Sequence, residues 1–549
     1  MPLRATIAIL CCAVAGCSLL LDTAEPVQCT TNADCDASPL LRDRVCSQGF
    51  CVVKADEPIP RVEDAGDGCV SNELCTQANS GQPSLCRKAG GPCTPIKTER
   101  CPSVEGDWSL PNAIFIGDIQ PVTTRQVEGS TAPIPYGDRV QRAMNLALSD
   151  FQTAAPGGFL FPDGTRRPLA LVHCQSNFTP AGADAALKHL TEVVGAEALI
   201  IGADEDLAAL TPQLTDKRVA VACSDCIGPL PDGPLAWRIL PRLVLEAPMA
   251  AWRVSKLEEQ IKTGPNPPAA LKVAVLMEPG RAMEAFVAAF SERLRFNGGK
   301  TVLENETSFM VEKTENPTIQ SVNHLKHAEH IAEFTPDVVV VAMADDFPGH
   351  YLRLIESKWP AEKRRPHYIT TDLNFNVTSF RSAITSDDVR RRISGTRPGY
   401  SPALQANVDA FEQRYRAAND NKDPDFCHTG YDAFYATALA VLGTRVEPVL
   451  DGPHIAASFE RLRGGSTTID FRPENIDFAV TLLGQATAKI DARGLWSDLD
   501  WSLPSRDMDA DVSMYCFERD GDGNLVINPN AGPHLTTSTG IVDGEYACE

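Results

Sequence analysis

The chain is short of base: 50 Lys and Arg stand against 72 Asp and Glu, a formal net charge of -22 at pH 7. That imbalance argues against electrostatic binding of nucleic acid or of an anionic membrane surface. After the N-terminus no second long apolar run occurs, so no further helical membrane span is expected. Compact catalytic signatures are missing too. There is no GxSxG, no HExxH and no paired CxxC, and Gly299-Lys300-Thr301 has Leu294 where a phosphate-binding loop needs glycine. Asp520-x-Asp522-x-Asn524 begins like a calcium loop. It has Leu525 in place of the required glycine and Ala531 in place of the bidentate acid, which leaves a hairpin turn. The expectation is a non-enzyme without a cofactor or a bound metal.

Cysteine, in contrast, is plentiful. Eighteen cysteines are too many for a reducing cytosol unless metals hold them. The N-terminus points the same way. Arg4 precedes the apolar run Ala5–Gly16, which is too short to cross a bilayer and suits the core of a signal peptide. Val14-Ala15-Gly16-Cys17 resembles the bacterial lipobox, whose cysteine is diacylated. On that resemblance residues 1–16 are a lipoprotein signal peptide and Cys17 is the lipidation site, anchoring the protein to the cell envelope, periplasmic or at the surface.

Residues 17–110 contain two repeated units. Cys29, Cys35, Cys46 and Cys51 are echoed by Cys69, Cys75, Cys86 and Cys93, with the first two spacings conserved between units. Neither unit has enough apolar residues to order itself, so disulfides must do so, and four cysteines allow three pairings. This segment is expected to be a stalk or interaction module. Cys223 and Cys226 suit a static disulfide, with Cys174 as another partner for either, and Cys516 with Cys548 would close the C-terminal region. Removing Cys11 and Cys12 with the signal, and Cys17 to lipid, leaves an odd number, hence one unpaired thiol.

From Pro111 onward apolar runs alternate with amphipathic patterns. Leu169–Cys174, Ala198–Gly202 and Val219–Ala222 are unalternating runs, each broken by small or polar residues. Such runs suit parallel strands buried on both faces, and ligands of open α/β sheets sit beyond their carboxyl ends. A second series follows the break at Gly264–Pro268. It has strands over Lys272–Met277, Thr301–Thr307, Val338–Ala342 and His367–Thr371, and helices over Arg281–Phe296, Ile319–Glu333 and Phe347–Lys358. Three more helices and a hairpin, Val512–Phe517 with Leu525–Ile527, complete the chain.

Several segments in this order resemble the type I periplasmic binding proteins, in the leucine/isoleucine/valine-binding branch that serves ABC importers. They are Ile116-Gly117-Asp118-Ile119-Gln120-Pro121, Leu199-Ile200-Ile201-Gly202, Trp237-Arg238-Ile239-Leu240-Pro241, Asn297-Gly298-Gly299-Lys300, Pro336-Asp337-Val338-Val339-Val340 and Gly430-Tyr431-Asp432-Ala433. The resemblance implies an α/β fold of two doubly wound, Rossmann-like lobes joined by three hinge crossings, a Venus flytrap, preceded by the small disulfide-rich segment. Residues 111–242 and 402–492 would form the first lobe and 243–401 with 493–549 the second. The crossings are expected near 242–246, 396–402 and 490–498.

The departures from that family bear on the ligand. A serine-rich loop and an SPxAT loop, which hold a carboxylate in the family, are replaced by Ala203-Asp204-Glu205-Asp206 and Cys223-Ser224-Asp225-Cys226. Two like charges 4 Å apart repel by about 4 kcal/mol at an effective dielectric of 20, so an anionic group is unwelcome there. The candidate ligand-binding residues are Thr123, Asp204, Cys223 and Ser224 on the first lobe, and Glu278, Asp345 and Asp372 on the second. The expected function is capture of a small polar ligand, neutral or cationic, for an ABC permease. The alternative is a surface interaction or sensor protein that keeps the fold as a scaffold and contacts other surface proteins. His324, His327 and His330 fall near one face of a helix. Two of them could share a metal with Glu329 or Glu333, but a solvated helix face is the expected reading.

Overall fold

The computed structural model describes residues 31, 33, 44–47, 50–53 and 68–549, apart from 111, 123, 126–133, 136, 234, 316–322, 345–346, 376, 400–403, 425–426, 448 and 549. Cys17, Cys29, Cys35, Thr123 and Asp345 therefore lie outside the described residues, as do the side chains of Cys46 and Cys51. The chain forms two compact units, Met1–Gly66 and Asp67–Glu549. In the first, strands Arg44–Ser47 and Phe50–Val53 pair antiparallel.

Two large sheets form the body of the second unit. The first runs in the spatial order β6-β5-β4-β2-β3-β1. Its strands are β1 (Ser103–Gly106), β2 (Ile114–Gln120), β3 (Leu169–Gln175), β4 (Ala198–Ile201), β5 (Ala220–Cys223) and β6 (Leu235–Arg238). All neighbours are parallel except β1, which pairs antiparallel with β3. Every residue of β2, β4 and β5 is buried, as the unalternating apolar runs demand of a sheet covered on both faces.

One face packs on α2 (Asp138–Ala154) and on α7 (His428–Gly443), all sixteen of whose residues are buried. A helix apolar all round belongs inside a large core, and this one is the first lobe's central pillar. The other face packs on helices Pro180–Lys188 and α3 (Asp204–Lys217).

The second sheet has nine strands. Its main order is β8-β7-β9-β10-β11-β12-β14-β15, with β13 pairing β12. The strands are β7 (Val273–Met277), β8 (Phe309–Lys313), β9 (Val338–Ala342), β10 (His367–Thr370), β11 (Ile393–Pro398), β12 (Val512–Arg519), β13 (Leu525–Asn528), β14 (His534–Thr536) and β15 (Ile541–Asp543). The first five are mutually parallel, and β12 returns antiparallel to β11. α4 (Ala247–Thr263) and α5 (Arg281–Arg293) cover one face. α6 (His324–Phe334) and the helical segment Phe347–Lys358 cover the other.

Three expectations need correction. The strand expected over Thr301–Thr307 is a helical turn, Leu303–Ser308, and β8 follows it. Glu304 accepts from both the amide and the hydroxyl of Thr301 and so caps a turn there.

The end of the segment expected as a stalk belongs to the first lobe. β1 extends that sheet, and Cys101 is joined to Cys174 at the end of β3, in place of a Cys174 link to Cys223 or Cys226. The unit just before it, with α1 (Asn72–Ala78), is closed by Cys69–Cys86 and Cys75–Cys93. It leans on the lobe through Arg87, whose guanidinium donates to the Val194 carbonyl.

The last crossing also comes later than 490–498. Leu495, Leu499, Trp501 and Met508 are buried in the first-lobe core, and the chain enters the second lobe only at β12. Cys223–Cys226 and Cys516–Cys548 are disulfides, and the buried Cys427 thiol, outside any disulfide, donates to the Pro424 carbonyl at 2.8 Å.

Candidate functional site

The three passages between lobes are gathered at one point. Gly399 follows β11, and its amide donates to the Asp511 carbonyl at 2.9 Å. A Cβ on Gly399 would stand 2.5 Å from the Ser497 Cβ and 3.6 Å from the Pro241 ring, and its φ is +74°. Only glycine meets both conditions without strain. Beside this point the loop after β5 reaches the second lobe. Ile227 packs against the apolar cluster that contains Leu243 and Ile369, and its carbonyl accepts from the Leu243 amide at 3.0 Å. The carboxyl ends of strands from both lobes thus border one junction, where ligands of α/β sheets bind.

On the first lobe, the acids expected to face a ligand are largely turned inward. Asp204, at the start of α3, accepts from the amides of Ile227 and Gly228 at 3.0 and 2.8 Å. Burial nonetheless raises its pKa. Asp206 is buried beside Ser176 and is pushed up to about 6 by desolvation; Glu205 alone of the three is exposed. Ser224 is fully buried and donates to Asp225 at 3.0 Å, while Thr429 donates to the other Asp225 oxygen at 2.7 Å. Asp225 too is driven up to about 6 by burial. Cys223 is buried in its disulfide. Cys223 and Ser224 are therefore wall, not rim, because the two short links Cys223–Cys226 and Ser224–Asp225 fold the loop onto itself.

Arg238 fastens this loop. It is fully buried, donates to the carbonyls of Cys226 and Gly228, and meets Asp507 at 3.2 Å. Asp432, the acid of the Gly-Tyr-Asp-Ala segment, is buried in the second turn of α7. It accepts from the amides of Leu495 and Trp496 at 2.8 and 3.1 Å, and burial lifts it to about 7. It holds the strap carrying Trp496, whose ring lies 4.5 Å from the Arg397 guanidinium of β11. The Phe375 ring lies 4.1 Å from the same guanidinium, so Arg397 sits between two aromatic faces, one from each lobe's share of the chain.

On the second lobe, Glu278 follows β7 and accepts from the Ala344 amide at 3.2 Å, tying two strand-end loops together. Asp372 follows β10 and is buried against Glu246, which stands on the chain just past the first crossing. One Glu246 oxygen accepts from the Asp372 amide at 3.1 Å and from the Thr396 hydroxyl. Burial, and the repulsion of the neighbouring Asp372 carboxylate, hold Glu246 well above the usual carboxylate range. Asp372 is also raised, by burial, while its contact with Glu246 and the charge of Arg397 pull the other way. Of the predicted residues, then, the structure brings Asp204, Cys223 and Ser224 to one end of the junction and Glu278 and Asp372 to the other. Glu246 and Arg397 stand outside every segment of the sequence that matches or departs from the family pattern; Asp225, Asp432 and Arg238 fall inside such segments, which is the signal available for them.

No family model and no curated protein matches the chain. Solved structures do match. A solute-binding protein of an ABC transporter from Rhodopseudomonas palustris, in complex with p-hydroxybenzoic acid, is 14% identical with a TM-score of 0.52. The match covers 76% of this chain and 96% of that one. A periplasmic binding protein type 1 from Bordetella pertussis is 12% identical, TM-score 0.51, over 76% of this chain and all of that one. A leucine-binding protein from Thermotoga maritima is 14% identical, TM-score 0.50, over 76% and 98%. Two Rossmann-like lobes, three gathered crossings and these likenesses together give the chain the α/β fold of the type I periplasmic binding proteins.

Proposed function

We propose that the chain is a membrane-anchored, extracytoplasmic solute-binding lipoprotein. It captures a small polar ligand between its lobes and presents it to an ABC permease. The observation that carries this reading is the gathering of all three crossings at Gly399, Pro241 and Asp511. Strand-end loops of both lobes border that point, and a hinge so placed opens and closes the space between them. The loops at 224–228, 278–280 and 372–375 would supply the ligand contacts, with Glu205 and Glu278 as the acids nearest solvent. Arg238 is already engaged by Asp507 and two carbonyls, so it offers an anionic ligand little. A neutral or cationic solute fits that balance.

Scanning fluorimetry of the intact protein against amino acids, polyamines, sugars and aromatic acids tests the reading. A ligand at one hundred times its Kd adds about 2.7 kcal/mol, a rise of about 3 °C for a protein of this size. Such a rise with a neutral or cationic solute is the expected result. A rise with leucine alone or with an aromatic acid alone would overturn the ligand class. Stabilisation by none, together with capture of a surface protein that depends on residues 29–101, would replace transport by the scaffold reading.

A further inference from the structure

The second lobe carries a cluster of metal-ligating side chains far in sequence from the crossings. On edge strand β8, Glu312 Oε1 lies 2.5 Å from His327 Nδ1 and 3.2 Å from His330 Nδ1, both on α6. The three donor atoms all lie within 4.8 Å of one another. Two imidazoles on one helix face thus aim the same ring nitrogen at a single carboxylate oxygen brought by a different element. The other side of His327 is occupied as well: its Nε2 lies 2.6 Å from Glu315 Oε2. His327 is buried, whereas the His330 side chain is 46% exposed, so the cluster opens to solvent on one side. Lys326, 3.9 Å from the other Glu315 oxygen, is the one cation paired with this group among the described residues.

We propose that Glu312, His327 and His330 form a site for a divalent cation of the zinc class. Two imidazoles and a carboxylate are a donor set that zinc takes at about 2.0–2.2 Å, leaving a fourth position for water. Ligands on such an ion stand about 3.3 Å apart in a tetrahedron, near the present Glu312–His330 separation. The Glu312–His327 pair opens by less than 1 Å, within reach of a small side-chain rotation. Glu315 is the outer partner. It accepts the Nε2–H of His327, fixing the tautomer that turns the Nδ1 lone pair toward the metal. The ion would clip edge strand β8 to α6. The site departs from the sequence expectation twice: a metal is proposed where none was expected, and the carboxylate comes from Glu312, not from Glu329 or Glu333. Glu329 is instead paired with Lys358 at 2.9 Å.

The intact, untagged protein, freed of metal with chelator, is titrated with Zn²⁺ by calorimetry at pH 7.5. Co²⁺ is then used for its visible absorption. The expected result is one saturable equivalent, with Co²⁺ giving the intense bands of a four-coordinate ion. His330→Ala and Glu312→Gln should each weaken binding by at least about tenfold, and Glu315→Gln, which removes no ligand, by about tenfold. Because the imidazoles must be unprotonated, affinity should fall on acidification. His330 is exposed, so its alanine variant tests the site without disturbing the core. Absence of saturable Zn²⁺ binding, or binding unchanged in both His330→Ala and Glu312→Gln, would overturn the proposal.

Discussion

The two lobes share a parallel α/β core, yet they keep the acids at their strand ends in different ways. In the first lobe three carboxylates near the crossings have donors of their own. Two amides hold Asp204, two hydroxyls hold Asp225, and two amides hold Asp432. Two cross-links back this up, Cys223–Cys226 inside the loop after β5 and Cys101–Cys174 at the end of β3, three strands away in the same sheet. In the second lobe Glu246 and Asp372 are buried against each other, Glu246 accepting from the Asp372 amide and the Thr396 hydroxyl through one oxygen. Burial raises the pKa of the acids in both lobes, but the first meets each with separate donors whereas the second sets two carboxyls against each other. Both leave few carboxylates free to face a ligand, which an acid-rich sequence would not suggest.

The sharpest way to break the first-lobe arrangement is to remove its one fully buried cation there. Arg238→Ala leaves Asp507 without its closest partner and two carbonyls without donors. Removing one member of a buried ion pair typically costs about 3–5 kcal/mol. Urea unfolding followed by tryptophan fluorescence should show that loss, with Trp237 and Trp501 beside the site as reporters. A loss below 1 kcal/mol would mean that water replaces the guanidinium and the loop is not held by it.

The cross-link comes next. Cys101 and Cys174 are separated by 73 residues, and chain-entropy reasoning gives such a loop roughly 4 kcal/mol, with 2–4 kcal/mol typical in practice. Cys101→Ala with Cys174→Ala should lower the unfolding midpoint by that amount. It should also raise protease sensitivity near residues 69–101. If the disulfide-rich unit stayed equally protected, its docking would rest on contacts such as Arg87 with Val194 alone.

How much of this was legible in the sequence depends on whether a feature is local or positional. Val338–Ala342 is a continuous apolar run, and it is the buried strand that such a run predicts. The Asp520–Gly523 turn was equally plain, because Asp520 accepts from the amides of Asp522 and Asn524. By contrast, the late third crossing depends on Trp501 docking beside Trp237, a contact across more than half the chain's body that no local pattern encodes. The same holds for Cys101 finding Cys174. At the site, composition placed carboxylates at the right loops but not their direction. Whether Asp204 faces a ligand or the amides of Ile227 and Gly228 is decided by a loop twenty residues away.

Raising the pH separates the two lobes' treatments of charge. Asp225 sits at about 6 against an ordinary 3.8, and Glu246 is held well above its ordinary 4.5. A carboxyl whose folded pKa is raised favours the fold below its unfolded value. It loses that contribution as pH climbs through the folded one. Wild-type stability should therefore fall between pH 4 and about pH 6 on account of Asp225, by about 3 kcal/mol at most. The Glu246 contribution should be lost at still higher pH. Asp225→Asn should flatten the lower part of the curve and Glu246→Gln the upper part, measured as urea midpoints from pH 4 to 9. Identical curves for the two variants would erase the distinction between the lobes.

The smallest effect refines the comparison most closely. Ser224→Ala removes one of the two hydroxyls that hold Asp225. A hydrogen bond to a charged group is worth about 1.5–3 kcal/mol, and one to a neutral group about half that. Since Asp225 is ionised above about pH 6, the substitution should cost about 2 kcal/mol at pH 8 and about 1 kcal/mol at pH 5. In the Asp225→Asn background the pH dependence of that cost should vanish. A cost independent of pH in both backgrounds would mean that Thr429 alone stabilises the carboxylate. Ser224 would then serve only to pack the disulfide-bonded loop, as its complete burial allows.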